Sequence, residues 1–61
     1  MAMTLKAARV NAGLTQAEAA AAVGVARKSI VCWEQDIESL KVGTLKKLCN
    51  LYNVELAELI L

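Results

Sequence analysis

Apolar and polar positions alternate with the period of an α-helix along most of the chain. Residues 4–12 place Leu5 and Ala8 on one face, which predicts a first helix that Gly13 ends in the left-handed conformation. Residues 16–23 are rich in alanine, the strongest helix former, and predict a second helix.

The start of the second helix has a specific signal. Thr15 is followed three residues later by Glu18, which is the spacing of a capping box. In that motif the hydroxyl accepts a hydrogen bond from the Glu18 amide, and the carboxylate accepts one from the Thr15 amide. Gly24 then interrupts the alanine-rich run, so the helix should end there.

A third helix is predicted from about residue 26 to residue 35. Its apolar anchors Ile30 and Trp33 lie one turn apart and should be buried. Four other side chains of this segment point away from that face: Arg27, Lys28, Val31 and Cys32. The third helix should therefore have an apolar back and a partly basic front.

Residues 36–43 are predicted to form a loop. The inward stripe of a fourth helix follows at helical spacing: Leu45, Leu48, Cys49 and Tyr52. Asn53 can end that helix, and residues 55–60 predict a short fifth helix. The 61 residues contain no proline and only three glycines. The pattern predicts an all-α, compact five-helix fold in a single domain, residues 1–61.

Charge adds a direction to this picture. The net charge is +1, lower than is usual for a nucleic-acid-binding domain. Residues 1–33 carry four basic side chains and one acidic one, a balance of +3, whereas residues 34–61 carry three and five, a balance of −2. A basic surface that contacts a partner should therefore belong to the N-terminal half.

Several function classes lack the residues they need. There is no histidine, and two cysteines far apart match neither a zinc site nor a catalytic pair. We find no glycine-rich phosphate loop and no close pair of carboxylates, so we expect neither an enzyme nor a protein that uses a metal, cofactor or small-molecule substrate. The longest apolar run, residues 19–23, is too short to cross a membrane, and the first residues do not show the basic segment and hydrophobic segment of a signal peptide. We expect a cytoplasmic protein.

Residues 16–35 meet the requirements of a helix-turn-helix. Such a motif needs a small residue where the helices cross, a glycine at the bend and apolar anchors on the second helix. The matching positions are Ala20, Gly24, Val25, Ile30 and Trp33. This geometry presents the N-terminal half of the second helix to the major groove of DNA.

The chain resembles the Cro/C1-type (XRE-like) helix-turn-helix family of phage repressors and small bacterial transcriptional regulators. The likeness runs from GLTQAEAAAAVGVARKSIVCWEQ through TLKKLCNLYNVELAELI, nearly the whole chain. It implies a lambda-repressor-like DNA-binding fold and a sequence-specific regulator of transcription, most simply a repressor of phage or prophage type, whose partner is a double-stranded DNA operator.

The resemblance also implies roles for individual side chains. Those expected to read bases are Arg27, Lys28, Val31 and Cys32, with Arg27 suited to bidentate pairing with guanine. Those expected to contact phosphates are Thr15, Gln16, Ser29 and Thr44. Arg9 and Glu34 resemble the family's ion pair between the first helix and the recognition helix.

Three departures from the family pattern stand out. The loop after the recognition helix contains Asp36 and Glu38 where basic residues are common, Ala26 replaces a capping Ser or Thr, and Cys32 is shorter than the usual base reader. They predict a weak or unusual operator preference.

Apolar residues gather near the C-terminal end, and one core cannot bury all of them. We expect a homodimer through Leu51, Leu59, Ile60 and Leu61, which would place two recognition helices about 34 to 36 Å apart on a palindromic operator.

A second hypothesis is a protein-interaction module, an anti-repressor or antitoxin-like partner, that keeps the fold without DNA binding. The low net charge and the acidic loop favour it, whereas Gln16, Arg27 and Lys28 favour DNA. A third, the DNA-binding half of a toxin–antitoxin pair, makes the same DNA prediction and adds a partner.

Overall fold

The computed structural model describes residues 3–59 of the chain, and these residues are helical with no β-strand. The four α-helices are α1 (Leu5–Asn11), α2 (Gln16–Val23), α3 (Arg27–Gln35) and α4 (Val42–Tyr52). Two short 3₁₀ helices cover Ile37–Ser39 and Leu56–Glu58. The all-α prediction is confirmed, and the spans of the first three helices agree with the sequence pattern within about one residue.

Local capping explains where α1 and α2 begin. Thr4 caps α1, its hydroxyl accepting a hydrogen bond from the Ala7 amide at 3.1 Å. Both bonds of the predicted capping box are present in α2. The Glu18 amide donates to Thr15 Oγ1 at 3.1 Å, and the Thr15 amide donates to Glu18 Oε1 at 2.9 Å. The Thr4 cap and the capping box satisfy amides that have no partner within the helix.

The turn between α2 and α3 depends on the backbone conformation of Gly24. This residue is left-handed, with φ 75° and ψ 35°, and the following amide of Val25 donates to the Ala20 carbonyl at 2.9 Å. A Cβ atom here would meet nothing within 4 Å, so the conformation and not the space favours glycine. Asn53 ends α4 in the same region, at φ 56°, as predicted.

The prediction of a fifth α-helix over residues 55–60 is wrong. Residues 56–58 form one 3₁₀ turn, which the Glu58 carboxylate closes by accepting the Glu55 amide at 3.0 Å. Leu59 is extended and lies in a parallel bridge with Met3, whose amide donates to the Glu58 carbonyl at 2.8 Å. Because a helix needs several turns to offset its nucleation, this bridge outweighs a six-residue helix.

The predicted loop over residues 36–43 is partly structured. It contains the first 3₁₀ helix, and α4 begins at Val42, so Gly43 lies in the first turn of α4. The Leu45 amide donates to the Lys41 carbonyl at 2.9 Å. Burial of the apolar stripe of α4 stabilises this earlier start against the low helix propensity of glycine.

The core forms where the apolar faces of all four α-helices meet. Its largest fully buried side chains are Ile30 of α3 and Leu48 of α4. From α2 only Ala19 and Ala20 enter the core, so small side chains let α3 approach α2 closely. Trp33, predicted to be buried, is half-buried and packs against the core. The remaining core residues are Leu5, Ala8, Leu40, Leu45, Cys49, Tyr52 and Leu59.

No helix within residues 3–59 has both the length and the apolar composition needed to cross a membrane.

Leu48→Ala should lower the free energy of unfolding by about 2–5 kcal/mol, because Leu48 is fully buried and its loss leaves a cavity. A domain of this size has only about 3–9 kcal/mol in total, so the variant should lose a large share of its stability. Urea titration followed by the fluorescence of Trp33, the single tryptophan, measures the change.

The matched control is Val42→Ala, which removes methyl groups from a side chain that is 62% exposed. It should change stability by less than about 0.5 kcal/mol. Equal losses in the two variants would contradict this assignment of the core.

Candidate functional site

The candidate site is the exposed face of α3 together with the start of α2. Arg27, Lys28 and Cys32 are exposed, Val31 is half-buried, and Ile30 on the opposite face is 1% exposed. The predicted division of α3 into an apolar back and a partly basic front is confirmed. Two adjacent cations therefore stand at the N-terminal end of a helix anchored from behind.

The first turn of α3 has no side-chain cap within the described residues. Ala26 occupies the N-cap position in extended conformation and offers only its carbonyl, which accepts the Ser29 amide at 2.9 Å. As the sequence predicted, Ala26 provides no side-chain cap at the position where the family usually has a Ser or Thr hydroxyl. The amides at the start of α3 are left for solvent or for an external acceptor.

A buried ion pair joins α1 to α3, as the resemblance implied. Arg9 Nε donates to Glu34 Oε2 at 2.6 Å, and Arg9 Nη2 donates to Glu34 Oε1 at 3.4 Å. The two side chains are 9% and 6% exposed. Arg9 Nη1 also donates to the Leu14 carbonyl at 2.8 Å, so the guanidinium holds the segment between α1 and α2 as well.

The electrostatics of this pair are consistent with its geometry. The hydrogen bond that Arg9 donates to Glu34 raises the pKa of Arg9, burial opposes that shift, and the charge of Glu34 adds to it. The Arg9 guanidinium therefore stays charged, as arginine side chains do in proteins.

Gln16 connects this pair to the front of α3. Gln16 Nε2 donates to Glu34 Oε1 at 3.1 Å, and Gln16 Oε1 accepts from Arg27 Nη2 at 3.4 Å. Only a phosphate contact was predicted for Gln16, so its hydrogen bonds to Glu34 and Arg27 were not predicted. The sequence contained a signal for the contact between Gln16 and Arg27. Gln16 is the first residue of α2, Arg27 is the first residue of α3, and these two helices must cross in a helix-turn-helix.

The other residues expected to contact phosphates lie at the starts of helices. Thr15 is exposed, and its hydroxyl accepts the Glu18 amide, which leaves its hydrogen free to donate. Ser29 is half-buried in the first turn of α3, and Thr44 is half-buried in the first turn of α4. The structure does not bring Thr44 into the hydrogen-bonded group formed around Gln16 and Glu34.

The acidic segment after α3 is ordered by its own side chains. Asp36 accepts the Glu38 amide at 3.2 Å, and Ser39 Oγ donates to the Asp36 carbonyl at 2.7 Å. Cys32 Sγ lies 4.0 Å from Ser39 Oγ. Both acids are exposed, so they place negative charge beside the C-terminal end of α3.

Residues 3–59 hold no cluster of three or more candidate metal ligands.

Of the residues expected at a dimer interface, Leu59 is 5% exposed and belongs to the core of the monomer. It is therefore not available to a second chain, because its bridge to Met3 turns it inward. Leu51 is half-buried, while Ile60 and Leu61 lie outside the described residues. Within residues 3–59 the most exposed large apolar side chains are Val10 and Val42, neither of which was predicted to lie at an interface.

Tyr52 lies behind the ion pair. Its hydroxyl is buried and has no hydrogen-bond partner within residues 3–59. Burial raises the pKa of Tyr52, the charge of Glu34 raises it further, and the charge of Arg9 lowers it. Burial also raises the pKa of Cys49, which fits its expected place as a small core residue.

Tyr52→Phe should leave stability at neutral pH unchanged or raise it by about 1–2 kcal/mol, because it removes a buried hydroxyl without a partner. The folded state holds the phenol proton more tightly than the unfolded state. The contribution of the phenol to stability should therefore be fully present below a pH of about 10 and fall as pH rises above it. Urea titrations at pH 7 and above pH 10 measure both effects.

The Tyr52→Phe variant should not show the part of the loss of stability at alkaline pH that is due to the phenol, while the part due to Cys49 should remain. A fall of more than about 1 kcal/mol at pH 7 would show that the hydroxyl makes a stabilising bond.

With the geometry in place, comparisons with known proteins give the family. Residues 5–59 match the model of the helix-turn-helix family. The HTH-type transcriptional regulator ImmR of Bacillus subtilis (strain 168) is 44% identical over 50 residues, which are 82% of this chain and 39% of that protein. The cryptic phage CTXphi transcriptional repressor RstR of Vibrio cholerae is 36% identical over 52 residues, 85% of this chain and 47% of that protein.

The chain thus spans less than half the length of these two relatives. No solved structure matches it significantly. Because the family match covers residues 5–59 and includes the residues that build the site, the chain belongs to the helix-turn-helix family, in its Cro/C1 (XRE-like) branch.

Proposed function

We propose that this chain binds double-stranded DNA sequence-specifically and acts as a transcriptional regulator, with α3 as the recognition helix. The observation that carries the proposal is the exposure of Arg27 and Lys28 at the start of α3, on a helix whose other face is fixed by Ile30 and Glu34. The names of both curated relatives, a transcriptional regulator and a transcriptional repressor, support it.

Base reading falls to the exposed front of α3. The guanidinium of Arg27 can donate two parallel hydrogen bonds to guanine O6 and N7, and Lys28 can donate to the same acceptors. Val31 supplies an apolar contact for a thymine methyl. Cys32 offers only a short, weakly polar side chain, so it adds little discrimination at its base pair.

Phosphate contacts surround this face. Thr15 and Gln16 stand at the N-terminus of α2, where free amides and the helix dipole favour an anion. Ser29 and Thr44 offer hydroxyl donors from α3 and α4. These contacts position the protein without reading sequence, while the exposed carboxylates of Asp36 and Glu38 weaken its hold on the backbone.

The proposal includes a homodimer on a palindromic operator, acting as a repressor. Among the described residues Leu51 is the expected interface residue that stays partly exposed, and Ile60 and Leu61 follow it along the chain. Two copies would read half-sites about 34 to 36 Å apart.

Selection of bound sequences from a random duplex library, then titration of the best site at two salt concentrations, tests the proposal. An enriched palindrome whose affinity falls steeply with salt is expected, because binding releases counterions from the phosphates. Sedimentation of the complex gives the number of chains per site. Absence of both enrichment and salt-sensitive binding would overturn the proposal in favour of a protein-interaction module, which the acidic 36–38 segment would suit.

Arg27→Ala should reduce the preference for the selected site over a scrambled duplex by about 1–3 kcal/mol, because a bidentate base contact is lost. Weak binding to both duplexes should remain. Competition titrations at one salt concentration give the preference as a ratio of affinities.

The control is Lys46→Ala, which removes one positive charge from an exposed position on α4. It should leave the preference ratio unchanged. If the two variants lower the ratio equally, Arg27 is not a base reader.

A further inference from the structure

Four side chains form a continuous hydrogen-bonded path from the core to the exposed face of α3. The path runs from Arg9 to Glu34, from Glu34 to Gln16 and from Gln16 to Arg27, with donor–acceptor distances of 2.6, 3.1 and 3.4 Å. Its inner end is the Arg9–Glu34 pair, in which the Glu34 side chain is 6% exposed, and its outer end is Arg27, which is exposed.

The two neighbours of Gln16 in this path, Glu34 and Arg27, determine how its amide is oriented. A carboxylate only accepts hydrogen bonds and a guanidinium only donates them. The amide of Gln16 has one group of each kind, so it can join the two only with Nε2 towards Glu34 and Oε1 towards Arg27. The buried carboxylate therefore fixes the orientation of the amide, and the amide presents an acceptor to Arg27.

Glu34 is itself held in place before it acts on Gln16. Its Oε1 accepts from both Arg9 Nη2 and Gln16 Nε2, and its Oε2 accepts from Arg9 Nε. A carboxylate bound in this bidentate manner cannot turn to follow the amide. At the exposed end of the path only Arg27 Nη2 donates to Gln16, so the other N–H groups of the guanidinium can donate to a base while this bond is kept.

We propose that Glu34 is a positioning residue for operator recognition, which through Gln16 holds the Arg27 side chain in the orientation it uses to read DNA. The inference rests on the proposed function. A side chain ordered before binding loses less conformational entropy when it binds. Operator preference therefore depends on a carboxylate that does not face the DNA.

Gln16 accordingly has two tasks. One hydrogen of its amide is bound by Glu34 and its oxygen by Arg27, which leaves the second hydrogen for a phosphate. Loss of Gln16 should lower affinity for every sequence through the phosphate, and in addition lower the preference for the operator.

The first arm of the test needs no DNA. The chain has two arginines, Arg9 and Arg27, so its NMR spectrum has two Nε–Hε signals, and the one held by Glu34 is an internal reference for a rigid side chain. Heteronuclear NOEs should show Arg27 partly ordered in the wild type. Gln16→Met, which keeps the length and removes both hydrogen-bonding groups, should make Arg27 mobile and leave Arg9 rigid. Glu34→Gln should also loosen Arg27.

The second arm measures preference for the selected site over a scrambled duplex. Gln16→Met and Glu34→Gln should each lower this ratio by about three- to ten-fold. The double variant should lower it no further than Gln16→Met alone, because both changes break one path. A purely structural role of Glu34 would instead add its full effect to that of Gln16→Met.

Glu38→Gln is the matched control, since it removes the same charge from an exposed position on the 3₁₀ helix that follows α3. It should raise affinity for all duplexes and change neither the ratio nor the Arg27 signal. If Glu34→Gln does not fold, Gln16→Met still decides: unchanged mobility of Arg27 with an unchanged ratio overturns the inference, and so do additive effects in the double variant. If the wild type selects no sequence, the proposed function fails, while the NMR arm still decides whether Glu34 orders Arg27.

Discussion

The buried ion pair between Arg9 and Glu34 is the constraint around which the rest of the molecule is arranged. It fixes α1 against α3, and through the Leu14 carbonyl it also fixes the segment that leads into α2. Burying two charges costs about as much as their attraction returns, so such a pair contributes little net stability. Its effect is on geometry, because only one mutual position of the helices satisfies both charged groups.

That geometry is possible because α2 is built from small residues. Ala19 and Ala20 are buried, and larger side chains at these positions would push α2 away from the helices packed against it and disturb the contact between Gln16 and Glu34. Gly24 makes the same approach possible at the turn, since its left-handed backbone brings α3 back across α2. The polar path and the apolar core thus depend on one close contact between two helices.

Much of this could be predicted from the sequence, and the successes have a common cause. The capping box at Thr15, the left-handed positions at Gly24 and Asn53 and the inward stripe of α4 are local features, in which a few neighbouring residues determine the outcome. The fifth helix failed for the opposite reason. Its fate depends on a bridge between Met3 and Leu59, whose partners are separated by most of the chain, and no periodicity in residues 55–60 reveals it.

The site shows the same distinction. The exposure of Arg27 and Lys28 follows from helical periodicity, and the Arg9–Glu34 pair was predicted from the resemblance to a family. The contacts of Gln16 were missed, because they depend on how three helices converge and on the orientation of a single amide. Leu59 was wrongly expected at a dimer interface for the same reason. An apolar residue near a chain end can face the core or a partner, and only the path of the backbone decides which.

The arrangement separates what must stay fixed from what can change. Ile30, Glu34 and the alanines of α2 hold α3 from behind, where a substitution disturbs the whole fold of a domain with little stability to lose. The front of α3 does not hold the fold together in this way, because Lys28 and Cys32 are exposed and lie outside the polar path. Arg27 alone belongs to both sets, because it is exposed to a partner and yet bonded through Gln16 to the buried pair. A change at residue 27 to a side chain that cannot donate to the Gln16 oxygen would alter both the base that is read and the order of the residue that reads it.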